Sequence, residues 1–197
     1  MTVEEVMTEL RKELIFMEES GGGVTFSGGE PLLQYTFLTE LLASCQMENI
    51  HTTVDTSGYA TWEVMEKVAR HTDLFLYDLK VMDDDLHKTY TGVSNKLILE
   101  NVSRLLIMGN KVRIRLPMIP GISFTDSNIN DTINFLIKLN RPIEGIDLLP
   151  YHNTASHKYE RLGLENTLQQ LKAVDRNELL EVKKQFESAG FEVKIGG

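Results

Sequence analysis

Gly22-Gly23-Val24-Thr25-Phe26-Ser27-Gly28-Gly29-Glu30-Pro31-Leu32-Leu33-Gln34 is the stretch on which the fold turns. Val24-Thr25-Phe26 reads as a short apolar strand, Ser27-Gly28-Gly29 as a turn, and Glu30-Pro31 as a helix start, because proline suits the first helical position. A strand that passes through a tight glycine turn into a helix opens a βα unit.

The same alternation extends in both directions. Upstream, Thr2 and Glu5 form a capping-box pattern, and Val3, Val6, Met7, Leu10, Leu14 and Met17 recur at helical spacing. This predicts one helix ending near Ser20, stopped by Gly21 to Gly23. Downstream, Phe37, Leu38, Leu41, Leu42 and Cys45 share a helical face, Ile50 to Asp55 reads as a strand, and Trp62, Met65, Val68 and Ala69 mark a helix. Leu74 to Tyr77 is a buried-type strand. Asp83 to Tyr90 reads as a short acidic-capped helix, and Ser94 to Met108 as a longer one stopped by Gly109. Val112 to Leu116 is a strand, Ile129, Ile133, Leu136 and Ile137 a helical face, and Ile146 to Leu149 a strand. Residues 153–173 are mostly polar and make a long connection. Asp175 and Glu178 repeat the capping pattern before Leu179, Val182, Phe186 and Ala189, Gly190 stops that helix, and Phe191, Val193 and Ile195 alternate as a last strand.

Six strands separated by helical segments predict an α/β fold with a parallel sheet and right-handed crossovers. A closed eight-stranded barrel takes about 250 residues. The 197 residues here suit one domain, 1–197, built as an open or partial barrel rather than a full one. Hydrophobic residues at 42% and charged residues at 25% exclude collagen-like and wholly disordered classes. Lys plus Arg is 20 against 29 Asp plus Glu, a net charge of −9, which argues against nucleic acid or an anionic membrane held by bulk charge. No apolar run is long enough to span a bilayer, and no signal peptide is visible, so the expected compartment is the cytoplasm. The single cysteine, Cys45, lies on an apolar helical face and reads as core packing.

The polar residues fall in a pattern. Ser27-Gly28-Gly29-Glu30 follows the first strand, Asp55 ends the second, Asp78-Leu79-Lys80 ends the third, Arg115 sits late in the fourth, and His152 comes just after the fifth. Ligands of parallel α/β sheets bind at the carboxyl ends of the strands. Each residue has an ordinary reading too: a tight turn for the glycines, a helix cap for Asp55, a surface ion pair for Asp78 and Lys80. Five consecutive strand ends together point to a polar ligand site.

The Gly22–Gln34 run closely resembles the glycyl-radical-enzyme activating enzymes of the radical S-adenosylmethionine superfamily, the family of pyruvate formate-lyase activating enzyme. The likeness continues through Asp55-Thr56-Ser57-Gly58, Asp78-Leu79-Lys80, Arg115 to Gly121, Leu148-Leu149-Pro150-Tyr151-His152, Lys158-Tyr159 and Leu162-Gly163. It implies a partial (β/α) barrel of radical S-adenosylmethionine type. It implies S-adenosylmethionine and a [4Fe-4S] cluster as cofactors, a flavodoxin- or ferredoxin-type electron donor, and a glycyl-radical enzyme of pyruvate formate-lyase or dehydratase type as partner. In that family one electron cleaves S-adenosylmethionine, and the adenosyl radical takes a hydrogen atom from a glycine of the partner. By the resemblance, Gly28 and Gly29 let the backbone approach the methionine amine, and Glu30 shapes the strand end. Asp55 meets the ammonium or, with Asp78, a monovalent cation. Leu79 belongs to the Asp-Leu-Lys element, Lys80 takes the carboxylate, Arg115 faces the methionine end, and His152 contacts the adenosine.

The departure is the cysteine count. The family holds its cluster with a Cys-x-x-x-Cys-x-x-Cys loop, and soft thiolates are what such clusters require. This chain has none of that loop. The resemblance places the loop and the first barrel strand upstream of Met1, so the expectation is a truncated barrel that is inactive alone. The missing strand is expected to leave a sheet edge open to homodimer pairing. A complete, non-catalytic S-adenosylmethionine-binding or assembly module is the alternative. A third reading places a divalent metal for hydrolysis on Asp55, Asp78 and His152.

Overall fold

The computed structural model describes residues 1–151 and 174–196. Two helices, α1 (Val3–Lys12) and α2 (Leu14–Ser20), lead into β1 (Val24–Phe26). A single 3-10 turn, Pro31–Gln34, then precedes α3 (Tyr35–Met47). The chain continues through β2 (Thr52–Thr56), α4 (Trp62–Ala69), β3 (Leu74–Asp78), α5 (Asp84–Thr91) and α6 (Lys96–Ile107). It then forms β4 (Val112–Met118), α7 (Asp126–Leu139), β5 (Gly145–Pro150), α8 (Arg176–Ser188) and β6 (Val193–Ile195). Among the described residues no helix is long and apolar enough to cross a membrane.

The six strands are all parallel and lie in sequence order, β1 to β6, with β1 and β6 at the edges. In that order, right-handed crossovers put every helix on the same face, and strand twist curls the sheet around the other. The result is the partial barrel that the family resemblance implies. Strand parity shows which face is which. Val112, Ile114, Leu116 and Met118 of β4 are buried, and Arg113, Arg115 and Pro117 between them are half-buried. Val54, Phe75, Tyr77, Ile114, Ile146, Leu148 and Val193 share one core with Leu38, Leu42, Met65, Val102, Leu136 and Phe186 of the helices. Asp55, Asp78, Arg113, Arg115, Asp147 and Lys194 therefore lie on the concave face.

Several local outcomes differ from the sequence reading. The first helix is interrupted at Glu13, whose N–H bonds to Leu10 O in a tighter turn. β2 starts at Thr52 rather than Ile50, because the Ile50 N–H closes α3 by bonding to Cys45 O after Asn49 turns left-handed at φ 57°. β4 and β5 each run further, to Met118 and Pro150, so both strands keep pairing through their prolines.

Cys45 belongs to a second, smaller cluster with Met7, Leu41 and Ile50, where α1 packs on α3. Its sulfur lies 3.8 Å from Met7 Sδ. Burial, and secondarily the charge of Glu48, pushes the thiol from 9.0 up to about 11. The folded state then keeps a proton that the unfolded chain releases, so this contribution to stability is full below about pH 9 and lost as the pH rises through about 11. A disulfide-exchange reagent at pH 8 is expected to react with native protein far more slowly than with protein in guanidinium chloride. Equal rates would show that the helix pair opens freely.

Candidate functional site

The concave face becomes charged at the carboxyl ends of β1 to β4. Asp55 and Asp78 lie on neighbouring strands, and Arg115 pairs in register with Asp78. The arginine reaches back across β3. Its Nε donates to Asp78 Oδ1 at 3.1 Å and its Nη1 to Asp55 Oδ2 at 2.9 Å. Ser27 Oγ, just past β1, donates to the same Asp55 oxygen at 3.1 Å. Lys80 Nζ lies 3.3 Å from the other oxygen of Asp78. The four strand ends are thus linked Ser27–Asp55–Arg115–Asp78–Lys80, with two carboxylates balanced by two cations. The side chains of Asp55, Asp78 and Arg115 keep about a fifth of their surface exposed and Lys80 keeps 37%, so the row is accessible from the open side.

Glu30 has a different place. Its Oε1 accepts from Leu32 N at 3.2 Å and Thr56 Oγ1 at 2.6 Å, and its Oε2 from Ser57 N at 3.0 Å and Ser57 Oγ at 2.5 Å. It caps the 3-10 turn and ties the loop after β1 to the end of β2. Hydrogen bonds to a charged group are worth about 1.5–3 kcal/mol each, so this brace fixes the loop that carries the paired glycines. Gly28 has φ 148°, a backbone that side chains avoid, and a Cβ at either Gly28 or Gly29 would meet no atom within 4 Å. The turn stands beside open space.

Leu79 is 2% exposed and packs in the core; its N–H donates to Arg115 O at 3.0 Å. It anchors the Asp-Leu-Lys element rather than lining the open face. His152, Lys158-Tyr159 and Leu162-Gly163 lie outside the described residues. Sequence reasoning placed Ser27 at the first strand end but missed its bond to Asp55. It also missed Arg113, whose Nε donates to both oxygens of Asp147 at 2.8 and 2.9 Å. The signal was available: Arg113 and Arg115 are two apart on one strand and must share a face.

A Radical SAM superfamily model matches residues 1–136. The chain is 43% identical to the trans-4-hydroxy-L-proline dehydratase activating enzyme of Clostridioides difficile, over all of this chain and 65% of the relative. It is 38% identical to the pyruvate formate-lyase-activating enzyme of Clostridium pasteurianum, over 93% of this chain and 76% of the relative. A domain of pyruvate-formate lyase-activating enzyme from Bacteroides vulgatus superposes with a TM-score of 0.76 at 35% identity, covering 89% of this chain and 99% of that one.

The chain belongs to the radical SAM superfamily. Within it, the family is that of the activating enzymes of glycyl-radical enzymes. The chain spans between 56% and 65% of the length of the first three curated relatives.

That family implies S-adenosylmethionine and a [4Fe-4S] cluster. The open glycine turn and the balanced carboxylate–guanidinium row suit the zwitterionic amino-acid end of S-adenosylmethionine. The cluster does not fit these residues. The one cysteine is buried among apolar side chains, and the described residues contain no group of three or more His, Cys, Asp or Glu placed to hold a metal.

Proposed function

We propose that this chain is the S-adenosylmethionine-holding and partner-facing body of a glycyl-radical-enzyme activating enzyme. The observation that carries the reading is the Asp55–Arg115–Asp78–Lys80 row lying beside the open Gly28-Gly29 turn at the carboxyl ends of four consecutive parallel strands. In this reading the Gly28-Gly29 backbone lies against the methionine ammonium, and Asp55 accepts from it. Lys80, a compact point charge, takes the carboxylate. Asp78 holds Lys80 in place, and Arg115 fixes the spacing of the two aspartates. His152 is proposed for the adenosine. When bound, S-adenosylmethionine supplies one-electron cleavage chemistry that removes a hydrogen atom from a glycine of the partner.

The partner is a glycyl-radical enzyme of dehydratase or lyase type, and the electron comes from a flavodoxin- or ferredoxin-type protein. The thiolates of the cluster are not among these 197 residues, so these residues alone do not generate the radical. The hydrolase reading is disfavoured by Arg115, whose guanidinium already lies between the two carboxylates that a divalent cation would need.

Titration calorimetry of the purified chain is expected to show weak, saturable binding of S-adenosylmethionine, lowered about tenfold or more by Asp55→Ala, because a half-buried charge contact is lost. Iron analysis after anaerobic reconstitution is expected to fall well short of one cluster per chain. Binding unchanged in Asp55→Ala removes the aspartate from the site, and a stoichiometric four-iron cluster on monomeric chain overturns the statement about the thiolates.

A further inference from the structure

The loop that carries Lys80, residues 79–83, has little regular structure to hold it. Leu79 and Val81 are both nearly fully buried, which fixes the parity and turns Lys80 toward the concave side. The height of the loop is set by two asparagines from other elements. Asn95, 3% exposed just before α6, donates from Nδ2 to Val81 O at 3.0 Å and Met82 O at 2.7 Å.

Asn128, in the first turn of α7, makes the more informative contacts. Its Nδ2 donates to Lys80 O at 3.1 Å and to Ser123 O at 2.9 Å, and its Oδ1 accepts from Met82 N at 2.7 Å. Both amide hydrogens and the carbonyl oxygen are used, so the side chain has one orientation. It is itself held from behind. The Asn128 N–H donates to Thr125 Oγ1, the cap of α7, at 3.3 Å. Ser123, 1% exposed, donates to Pro117 O and accepts from Ile119 N at 2.9 Å. One amide thus locks the loop bearing Lys80 to the loop that leaves β4 just past Arg115, the other cation of the row.

We propose that Asn128 is a positioning residue of the ligand site: by hydrogen bonding on both sides of Val81 it sets where Lys80 sits over Asp78, and through Lys80 it sets the grip on an anionic carboxylate. The inference rests on the reading of Lys80 as the carboxylate anchor. A purely structural asparagine would satisfy the same backbone groups, but its loss would act on stability and not through Lys80.

The test uses the full chain with lysines labelled by reductive 13C-methylation, the Lys80 signal being assigned with Lys80→Arg. Asn128→Ala is expected to move the Lys80 signal, and to weaken S-adenosylmethionine binding about tenfold, comparable to the lower end of what losing a supporting hydrogen-bond partner costs a metal site. In the Lys80→Ala background the same substitution is expected to change affinity less than about twofold, because the two residues act as a unit. Asn128→Asp keeps the acceptor for Met82 N and serves if the alanine variant does not fold. An unmoved Lys80 signal, or affinity losses that add, overturns the role of Asn128 and leaves the proposed cradle standing. No saturable binding by the wild-type chain overturns the cradle, and this role with it.

Discussion

Arg115→Ala is expected to lower the stability of the chain by about 2–3 kcal/mol and to abolish measurable S-adenosylmethionine binding. Removing one partner of a buried ion pair costs about 3–5 kcal/mol, because the other charge is left uncompensated. Arg115 faces two such charges, at 2.9 and 3.1 Å, but each carboxylate keeps nearly a fifth of its surface in water, which discounts the loss. Ser27 and Lys80 remain, and neither lies between the aspartates. Arg115→Lys is expected to recover only part, since an ammonium does not present two donors in a fixed fork. The decisive comparison is Asp55→Asn in the Arg115→Ala background. If like-charge repulsion is the cause, removing one carboxylate charge restores at least half of the lost stability, read as the urea midpoint at constant slope. A double variant no more stable than Arg115→Ala would assign the loss to packing of the arginine stem.

Much of this arrangement was legible because it depends on periodicities that the chain states locally. In β4 the run Val112-Arg113-Ile114-Arg115-Leu116 alternates without a break, which declares both the strand and the face on which its arginines lie. Parallel topology then dictates that Ser27, Asp55, Asp78 and Arg115 meet at one rim, whatever their separation in the chain. The unread parts are those that depend on distant partners. Asn128 sits in an ordinary first helical turn, and its partners Lys80 and Met82 lie 48 and 46 positions away. Asparagine there has no period to betray it. Glu30 was read as a helix start, and it does cap the turn; its grip on Thr56 and Ser57 needed the β1–β2 pairing first. The break at Glu13 has no glycine or proline to announce it, so the spacing of Val3 to Met17 reads as one helix.

Gly58→Ala is expected to be among the most damaging small substitutions in the described residues. Gly58 follows Asp55-Thr56-Ser57 and has φ 72°, which costs an alanine about 1 kcal/mol or more by itself. Its Cβ would also lie 1.8 Å from Tyr77 Oη and 2.1 Å from Cζ. The phenol has nowhere to retreat. Tyr77 is fully buried under the helices, and its hydroxyl donates to Ile98 O at 2.7 Å. Burial, with Glu30 adding to it, holds the phenol well above its ordinary value, so it stays a neutral donor. The glycine backbone is pinned from the other side, where Asn101 Nδ2 donates to Gly58 O at 2.9 Å and the Gly58 N–H donates to Thr56 Oγ1 at 2.9 Å. Overpacking at such a point adds about 1–3 kcal/mol to the backbone strain. A total near 3 kcal/mol lowers the melting temperature of a chain this size by roughly 6–12 °C. Gly109→Ala is the control, with φ 83° and nothing within 4 Å of its Cβ, and is expected to fall by only about 2–4 °C. Because Thr56 and Ser57 also hold Glu30, the displaced loop in Gly58→Ala should carry the Gly28-Gly29 turn with it and weaken S-adenosylmethionine binding even where the chain is still folded. Equal melting shifts in the two variants would mean that the β2 loop is not seated on Tyr77 as tightly as these distances require.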